Sequence, residues 1–456
     1  METSAVAKKN RVLVDMSATL LHHGHVRLLQ RAKELGYVVV ALTTDEEIIR
    51  TKGYEPELSY DERKEILLAL KYVDEVIPSP WLISESYMAE HQIDILLHGD
   101  DNANKVAQLK TYPRTEGISS SGLREKAARA IVQKKNSQKC LVTPGPTNIH
   151  SSSIIDIEPV FSRDDEEYKR IEHIVCERIL ALAGQDSLAI LQGSATTAIE
   201  VATSNFLNGN VAVVTSGFYS ERMFDMIKRK ANAMGLTKVD AVDYAKFVEN
   251  PGLTDGADWI VATSTETADA FLGDLKLLKQ AANKGNSRLM IDATGSINLE
   301  DHHELADVTM FSSCKGLGGF TGAGFITYNK VLLHGLNPVQ RPFALDLVTH
   351  IEKRVTCPAH AVCSLYSASE RFAQARADVR AGKEKFMQRF SAFIARKGNQ
   401  PALCTMFKAA KVEYPEGTVV YSPRRIQAGH HVICHLFEQF EANRTPGSFY
   451  ENIKVS

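Results

Sequence analysis

The sequence predicts an α/β protein of two domains, each built on a parallel sheet. Three observations predict it. The chain has 456 residues, and a typical domain holds roughly 100–200. Short apolar runs alternate with segments of helical spacing over most of its length. One polar, basic stretch without apolar period, GLREKAARAIVQKKNSQK at 122–139, interrupts that rhythm. It divides the chain into a domain at 1–125, a linker at 126–139 and a larger domain at 140–456.

In the first domain, RVLVDMS is a strand. HVRLLQRAKELG follows with Val26, Leu28, Leu29, Ala32 and Leu35 at helical spacing and ends on Gly36. YVVVALTT reads as a strand buried on both faces. SYDERKEILLALKYV opens on a capping-type Ser59 and is a helix. DEVIP is a short strand, YMAEHQ a helix and DILLHG another buried strand. In the second domain, long helices separate SLAILQGS, GNVAVVTSG, DWIVATST, RLMIDATG, VTMFSSCKG and GFITYN. Beyond Asn399 the pattern is mixed, and HHVICHLFEQF reads as a final helix.

Composition narrows the class. Hydrophobic residues make up 44% and charged residues 24%, as in a globular protein with large cores. Lys and Arg number 53 against 55 Asp and Glu, a net charge of −2. That balance argues against a nucleic-acid binder. No apolar run reaches the roughly 18 residues of a membrane span, and METSAVAKKN lacks a secretory apolar stretch. Seven cysteines without a CxxC pair argue against a disulfide framework or a zinc ribbon, and fit a reducing cytoplasm.

The first chemistry-bearing motif is His22-His23-Gly24-His25 at a strand-to-helix turn. A glycine lets phosphate oxygens approach the backbone, and the helix start offers free N–H groups. Two imidazoles can donate to charge that grows on a triphosphate as pyrophosphate leaves. Alone, HHGH also fits a metal-binding fragment or a polar turn. A second motif follows, Arg114-Thr115-Glu116-Gly117-Ile118-Ser119-Ser120-Ser121. Its arginine can clamp phosphates, and its serines stand at a new helix start.

The two motifs in this order resemble the HxGH cytidylyltransferases, of which the glycerol-3-phosphate enzymes are members. Tyr60-Asp61-Glu62-Arg63-Lys64 and His98-Gly99-Asp100-Asp101 extend the likeness over about residues 10–125. Asp15-Met16-Ser17-Ala18-Thr19 is similar to the MSAD form of phosphonate-biosynthesis cytidylyltransferases, with Thr19 in place of the usual Asp. The resemblance implies a Rossmann-like nucleotidyltransferase domain. It implies attack of a phosphate or phosphonate oxygen on the α-phosphorus of CTP, with Mg²⁺ on the triphosphate. It makes His22, His25 and Arg114 catalytic, and it assigns the nucleotide to Met16, Ser17, Gly24, Lys52, Gly99, Asp100, Thr115, Ile118, Ser119 and Ser120 as well. Lys52 reads equally as a surface lysine.

In the second domain, Ser313-Cys314-Lys315-Gly316 follows an apolar strand, where a lysine can form a Schiff base with an aldehyde cofactor. Asp292 ends RLMID, where a carboxylate can hold the protonated pyridine nitrogen of pyridoxal phosphate. Gly193-Ser194-Ala195-Thr196 precedes a helix and can form a phosphate cup; taken singly, Lys315 reads also as a surface lysine and Asp292 as a strand-end cap. In this order the three resemble a fold-type I, class V aminotransferase, most closely the 2-aminoethylphosphonate aminotransferases. Leu141-Val142-Thr143-Pro144-Gly145-Pro146 is similar to their LTPGP. Ser216-Gly217-Phe218-Tyr219-Ser220-Glu221-Arg222 is similar to NGAYGxR, which makes Tyr219 the ring-stacking residue. Ser264-Thr265-Glu266-Thr267 is similar to HxET, with Ser264 for the histidine. Arg354-Val355-Thr356-Cys357-Pro358-Ala359-His360 is similar to TPPVH. The family implies that Thr356 reaches the cofactor phosphate across a homodimer interface. No arginine matches the one that grips the substrate's acid group, and Arg424, Arg425 and Arg444 are candidates by type.

Together the resemblances imply a bifunctional enzyme. An amino-acid donor and phosphonoacetaldehyde would give 2-aminoethylphosphonate, which CTP would convert to its CMP derivative. Two alternatives stand. The same chemistries could act on dihydroxyacetone phosphate and serinol phosphate, or the second domain could be a dimerisation or binding module.

Overall fold

The structure is a computed structural model. It describes residues 9–100, 103–155, 157, 161–162, 164–353, 355–396, 398–439 and 448–456. Two compact units divide the chain, Met1–Ala130 and Ile131–Ser456.

The first unit runs β1 (Asn10–Met16), α1 (His23–Leu35), β2 (Gly36–Thr43), α2 (Asp45–Lys52), α3 (Tyr60–Leu68), β3 (Glu75–Ser79), α4 (Glu85–Glu90), β4 (Ile95–Gly99), β5 (Leu109–Tyr112) and α5 (Ser120–Ser137). Its Rossmann-like sheet has the order β3-β2-β1-β4-β5, with every pair parallel. Period-two side chains fill both faces. Val12, Val14 and Met16 enter one core and Leu13 the other. Val38, Val40 and Leu42 likewise part from Val39 and Ala41. The strand order turns at β1, which lies between β2 and β4, so a crevice opens where the ends of β1 and β4 diverge.

Two elements escape the apolar pattern. In α2 only Ile48 is buried. What holds α2 is its Thr44 cap, three acidic residues in the first turn, and Arg50 and Lys52 in the last. β5 is an edge strand with no buried residue. The stretch expected as a linker is helical through Ser137, because Ala, Arg, Glu and Lys favour helix without an apolar stripe.

A buried arginine ties the first unit's strand ends together. Arg63 on α3 donates to the carbonyls of Ser17 at 2.5 Å, Thr43 at 3.0 Å and Leu58 at 3.1 Å, and pairs with Asp45 at 2.5 Å. Its side chain is fully buried.

The second unit is built on a seven-stranded sheet. Its order is Ser187–Gln192, Ala323–Tyr328, Val308–Ser312, Arg288–Asp292, Trp259–Thr263, Asn210–Thr215, Lys238–Asp243. The expected parallel sheet needs one correction, because Ala323–Tyr328 runs antiparallel to both neighbours. Only a short glycine-rich turn separates it from Val308–Ser312, too little chain for a parallel crossover. The expected final helix at HHVICHLFEQF is also corrected. His430–Cys434 is a strand paired antiparallel with Cys404–Lys408, and only the short 3₁₀ turn Leu436–Gln439 follows. The apolar run there is too short for a helical period and is buried by its partner strand.

Removing the Arg63 side chain takes a donor from three carbonyls and from Asp45 Oδ1, while Asp45 Oδ2 keeps the Tyr60 N–H. Arg63→Ala is expected to cost about 3 kcal/mol of unfolding free energy, read in urea denaturation. A loss under about 1 kcal/mol would show that the knot is not needed.

Candidate functional site

In the first unit a cavity of about 660 Å³ opens at the ends of β1 and β4. The start of α1 is closed by its own histidines. His22 Nδ1 accepts the N–H of Gly24 at 3.2 Å, and His25 Nδ1 accepts the N–H of His22 at 3.3 Å. The ring centroids lie 3.9 Å apart. With Nδ1 an acceptor in each ring, the neutral imidazoles carry their protons on Nε2. Burial, then the neighbouring His22 and Lys52, lowers the pKa of His25 to about 4. Burial, His23 and Arg114 lower that of His22. Such a histidine adds stability that is complete above about 6.5 and is lost as pH falls toward 4.

The same cavity is lined by Met16, Ser17, Gly24, Lys52, Gly99, Arg114, Thr115, Ile118, Ser119 and Ser120. The sequence-based nucleotide set therefore converges on one wall, with one exception. Asp100 does not line the cavity. Its carboxylate accepts the Arg114 N–H at 3.2 Å and so holds the Arg114 loop. Asp101 lies outside the described residues. Lys52 is no idle surface residue, since it donates to Ser17 Oγ at 2.9 Å and lies over Trp81. The α5 start is tied in by Ser120 Oγ, which donates to the Leu20 carbonyl at 3.2 Å. Thr19 is buried and accepts from Arg124 at 2.8 Å, while Arg124 also pairs with Glu57.

Sequence reasoning missed several cavity residues. Arg27 and Arg31 line it one helical turn apart on α1, beside Trp81. Their signal was the i, i+4 spacing just after the histidine motif. It also missed a carboxylate. Among the cavity's lining residues Asp15 is the one acidic side chain, against Arg27, Arg31, Lys52, Arg114 and Arg124. Asn104 donates to Asp15 Oδ2 at 2.8 Å. Asp15 Oδ1 is buried without a hydrogen-bond partner and lies 3.7 Å from His98 Nε2. Burial raises its pKa, while His98 and Asn104 oppose the rise.

In the second unit, Asp292 ends its strand buried. Its Oδ1 accepts the N–H and the hydroxyl of Thr294, at 2.9 and 2.5 Å. Burial raises its pKa against the charges of Lys315 and Arg222. Gly145 packs directly on Lys315, where a Cβ would lie 2.7 Å from the lysine Cγ. Ser194 caps the helix Ala195–Phe206, accepting the Thr196 N–H at 3.2 Å. Arg222, quoted in a motif but not assigned a role, donates to Thr196 Oγ1 at 3.3 Å and lies over the Tyr219 ring. It links the cup to the aromatic residue. Glu266 accepts the N–H groups of Tyr219 at 2.9 Å and Ser220 at 2.6 Å, which fixes the helix that carries Tyr219. Ser264 N–H donates to the Asp292 carbonyl at 2.9 Å.

Thr356 is exposed. Arg424 and Arg425 both lie over Phe218, and Arg425 pairs with Glu221. Arg354 and Arg444 lie outside the described residues.

The residues fit a phosphorylated aldehyde cofactor. The hydroxyls of Ser264, Thr265 and Thr267 and the Nε of Arg222 are buried without a partner. Gly193 keeps the cup open, since a Cβ there would lie 2.3 Å from Thr197 Oγ1.

Comparison with known proteins gives likenesses of two kinds. The cytidylyltransferase-like family matches residues 19–157. Glycerol-3-phosphate cytidylyltransferase of Bacillus subtilis (strain 168) is 44% identical over 119 residues, spanning 24% of this chain and 90% of that one. The chain belongs to the cytidylyltransferase-like family. Ethanolamine-phosphate cytidylyltransferase of Arabidopsis thaliana is 38% identical over 134 residues, 25% of this chain and 32% of that one. An aspartate aminotransferase of subgroup IV from Thermus thermophilus covers 65% of this chain and 93% of its own, at TM-score 0.56 and 20% identity. That likeness establishes an aminotransferase-like fold.

His25 is expected to titrate near pH 4 by NMR, and a midpoint near the ordinary histidine value would contradict the burial argument. His25→Ala is expected to slow pyrophosphate release from CTP about 100- to 1000-fold.

Proposed function

We propose that the chain is a bifunctional enzyme that makes and then activates an amine-bearing phosphonate. The second unit moves an amino group from an amino-acid donor onto phosphonoacetaldehyde. The first unit couples the product, 2-aminoethylphosphonate, to CMP from CTP and releases pyrophosphate. The observation that carries this reading is Asp15. A lone carboxylate with an unpartnered oxygen, in a cavity whose arginines and lysine are all cationic, suits an acceptor that is anionic at one end and an ammonium at the other. Glycerol 3-phosphate has no such cation. The similarity of Met16-Ser17-Ala18 to the phosphonate-type motif favours a phosphonate over a phosphate ester.

In the first unit, Lys52 and Arg114 hold the triphosphate with the N–H groups at the start of α5. His22 and His25 donate from Nε2 to charge growing on the phosphates. Asp15 orients the acceptor so that its phosphonate oxygen meets the α-phosphorus. Mg²⁺ enters with the triphosphate and neutralises part of its charge.

In the second unit, Ser194, Ala195, Thr196 and Thr267 would hold the phosphate of pyridoxal phosphate, and Tyr219 its ring. When bound, the group supplies an aldehyde and an electron sink. Asp292 holds a proton at the pyridine nitrogen. Lys315 Nζ would carry a proton between the α-carbon of the donor and the C4′ of the group, and in the return half-reaction from C4′ to the carbon of the new amine. Thr356, exposed on the single chain, completes the site of a second copy in a homodimer. The seven cysteines are free thiols. Among the described residues no helix is long and apolar enough to cross a membrane.

The test is pyrophosphate release from CTP with 2-aminoethylphosphonate, serinol phosphate, ethanolamine phosphate and glycerol 3-phosphate. The first is expected to win. Asp15→Asn is expected to lower kcat/KM for it about 100-fold while leaving glycerol 3-phosphate turnover within a few-fold. Preference for glycerol 3-phosphate would overturn the reading, and preference for serinol phosphate would move it to a phosphate ester.

A further inference from the structure

Two buried nucleophiles that neither site uses face each other. Cys404 and Cys434 are directly opposite in the antiparallel pair Cys404–Lys408 and His430–Cys434. The ladder is fixed on both sides. His435 N–H donates to the Leu403 carbonyl at 2.8 Å, and Ala409 N–H to the Gly429 carbonyl at 2.9 Å. Those two are hydrogen-bonded pairs, six residues apart, so the positions between them alternate. Cys404 and Cys434 then fall on a non-hydrogen-bonded pair. There the side chains share one face and the Cα atoms stand about 4.5 Å apart, within the span of roughly 4.4–6.8 Å that a disulfide bridges.

Both cysteines are free and fully buried. They also belong to the neighbourhood of the second site. The charge of Lys315 acts on both sulfurs. Cys404 Sγ lies 3.8 Å from the carbonyl of Thr267, to which it donates. Burial raises the Cys404 pKa to about 12, so the resting pair is a dithiol.

We propose that Cys404 and Cys434 are an oxidative modification site, closing to an intramolecular disulfide that silences the second unit. The oxidant is a small peroxide. One sulfur, as its thiolate, attacks a peroxide oxygen; the O–O bond breaks, the other oxygen leaves as water and a sulfenic acid remains. The second sulfur displaces the sulfenic hydroxyl as another water and forms the S–S bond. Two thiols lose two electrons and two protons, and the peroxide becomes two waters. A dithiol reductant reverses the change by exchange. Closure draws Cys404 Sγ off the Thr267 carbonyl and locks the strand pair beside Lys315. The silencing rests on the aminotransferase reading, whereas the bridge itself does not.

The test treats the full chain with hydrogen peroxide, then alkylates the denatured thiols and maps non-reduced peptides by mass spectrometry. The alkylated count is expected to fall from seven to five, with one linked peptide joining Cys404 to Cys434, and dithiothreitol should restore it. Cys404→Ser is expected to keep all its remaining thiols under the same treatment. Seven alkylated thiols, or a bridge elsewhere, would overturn the site. Amino transfer to phosphonoacetaldehyde should drop at least about tenfold on oxidation in the native chain and stay unchanged in Cys404→Ser. A bridged chain with undiminished transfer overturns the silencing. An untreated chain that moves no amino group overturns the aminotransferase reading and the silencing with it, while the bridge stands or falls on the mass.

Discussion

Parallel strands deliver the chain repeatedly to the same edge of a sheet, and this constraint decides where chemistry can sit in both units. Each strand that leads into a helix places that helix's unpaired N–H groups at the edge. In the first unit β1 hands over to α1, and β4 and β5 bring the chain round to α5. Two helix starts therefore meet one crevice. In the second unit Ser187–Gln192 leads into the helix at Ala195, while Arg288–Asp292 ends on a buried carboxylate. Anion-binding backbone and strand-end side chains are thus consequences of topology. What remains for individual residues is to decide which anion and what is done to it.

The two histidines of the first unit do double duty. Their Nδ1 atoms close the helix start, and the same bonds leave Nε2 as the donor of each ring. Burial holds His25 neutral to about pH 4, so the pair adds hydrogen-bond donors without adding positive charge to a cavity already rich in it. Donors of this kind speed a displacement only where they bind its transition state better than its ground state.

Much of this was legible in the sequence, because the period-two and helical patterns of β1, α1 and β2 are strong and the histidine motif sits at their junction. What escaped did so for physical reasons. α2 and α5 are held by caps, charges and propensity, so no apolar stripe announced them. Ala323–Tyr328 is as apolar as its neighbours, and composition cannot give strand direction. HHVIC resembled a helix because a short apolar run is ambiguous until its partner strand is known. At the sites, the motif residues were readable one by one. The links between them were not. Arg63 reaches from α3 to three strand and loop carbonyls, and Arg222 joins Thr196 to Tyr219. Such contacts are set by packing and leave no spacing signature.

Asp15 shows how one buried group can turn a general site into a selective one. A cavity of arginines and a lysine binds any phosphate-bearing molecule, and affinity alone would not separate a triphosphate from a small acceptor. A carboxylate whose second oxygen lacks a hydrogen-bond partner carries a desolvation cost, the same burial that raises its pKa. An ammonium placed there relieves that cost, whereas a hydroxyl relieves it only in part. The discrimination therefore comes from what the wrong acceptor leaves unsatisfied rather than from extra contacts to the right one. It also gives a physical reason for joining the two units. A step that installs an amine is useful to the next enzyme only if that enzyme can tell the aminated product from its precursor. On the proposed reading, that distinction falls to Asp15.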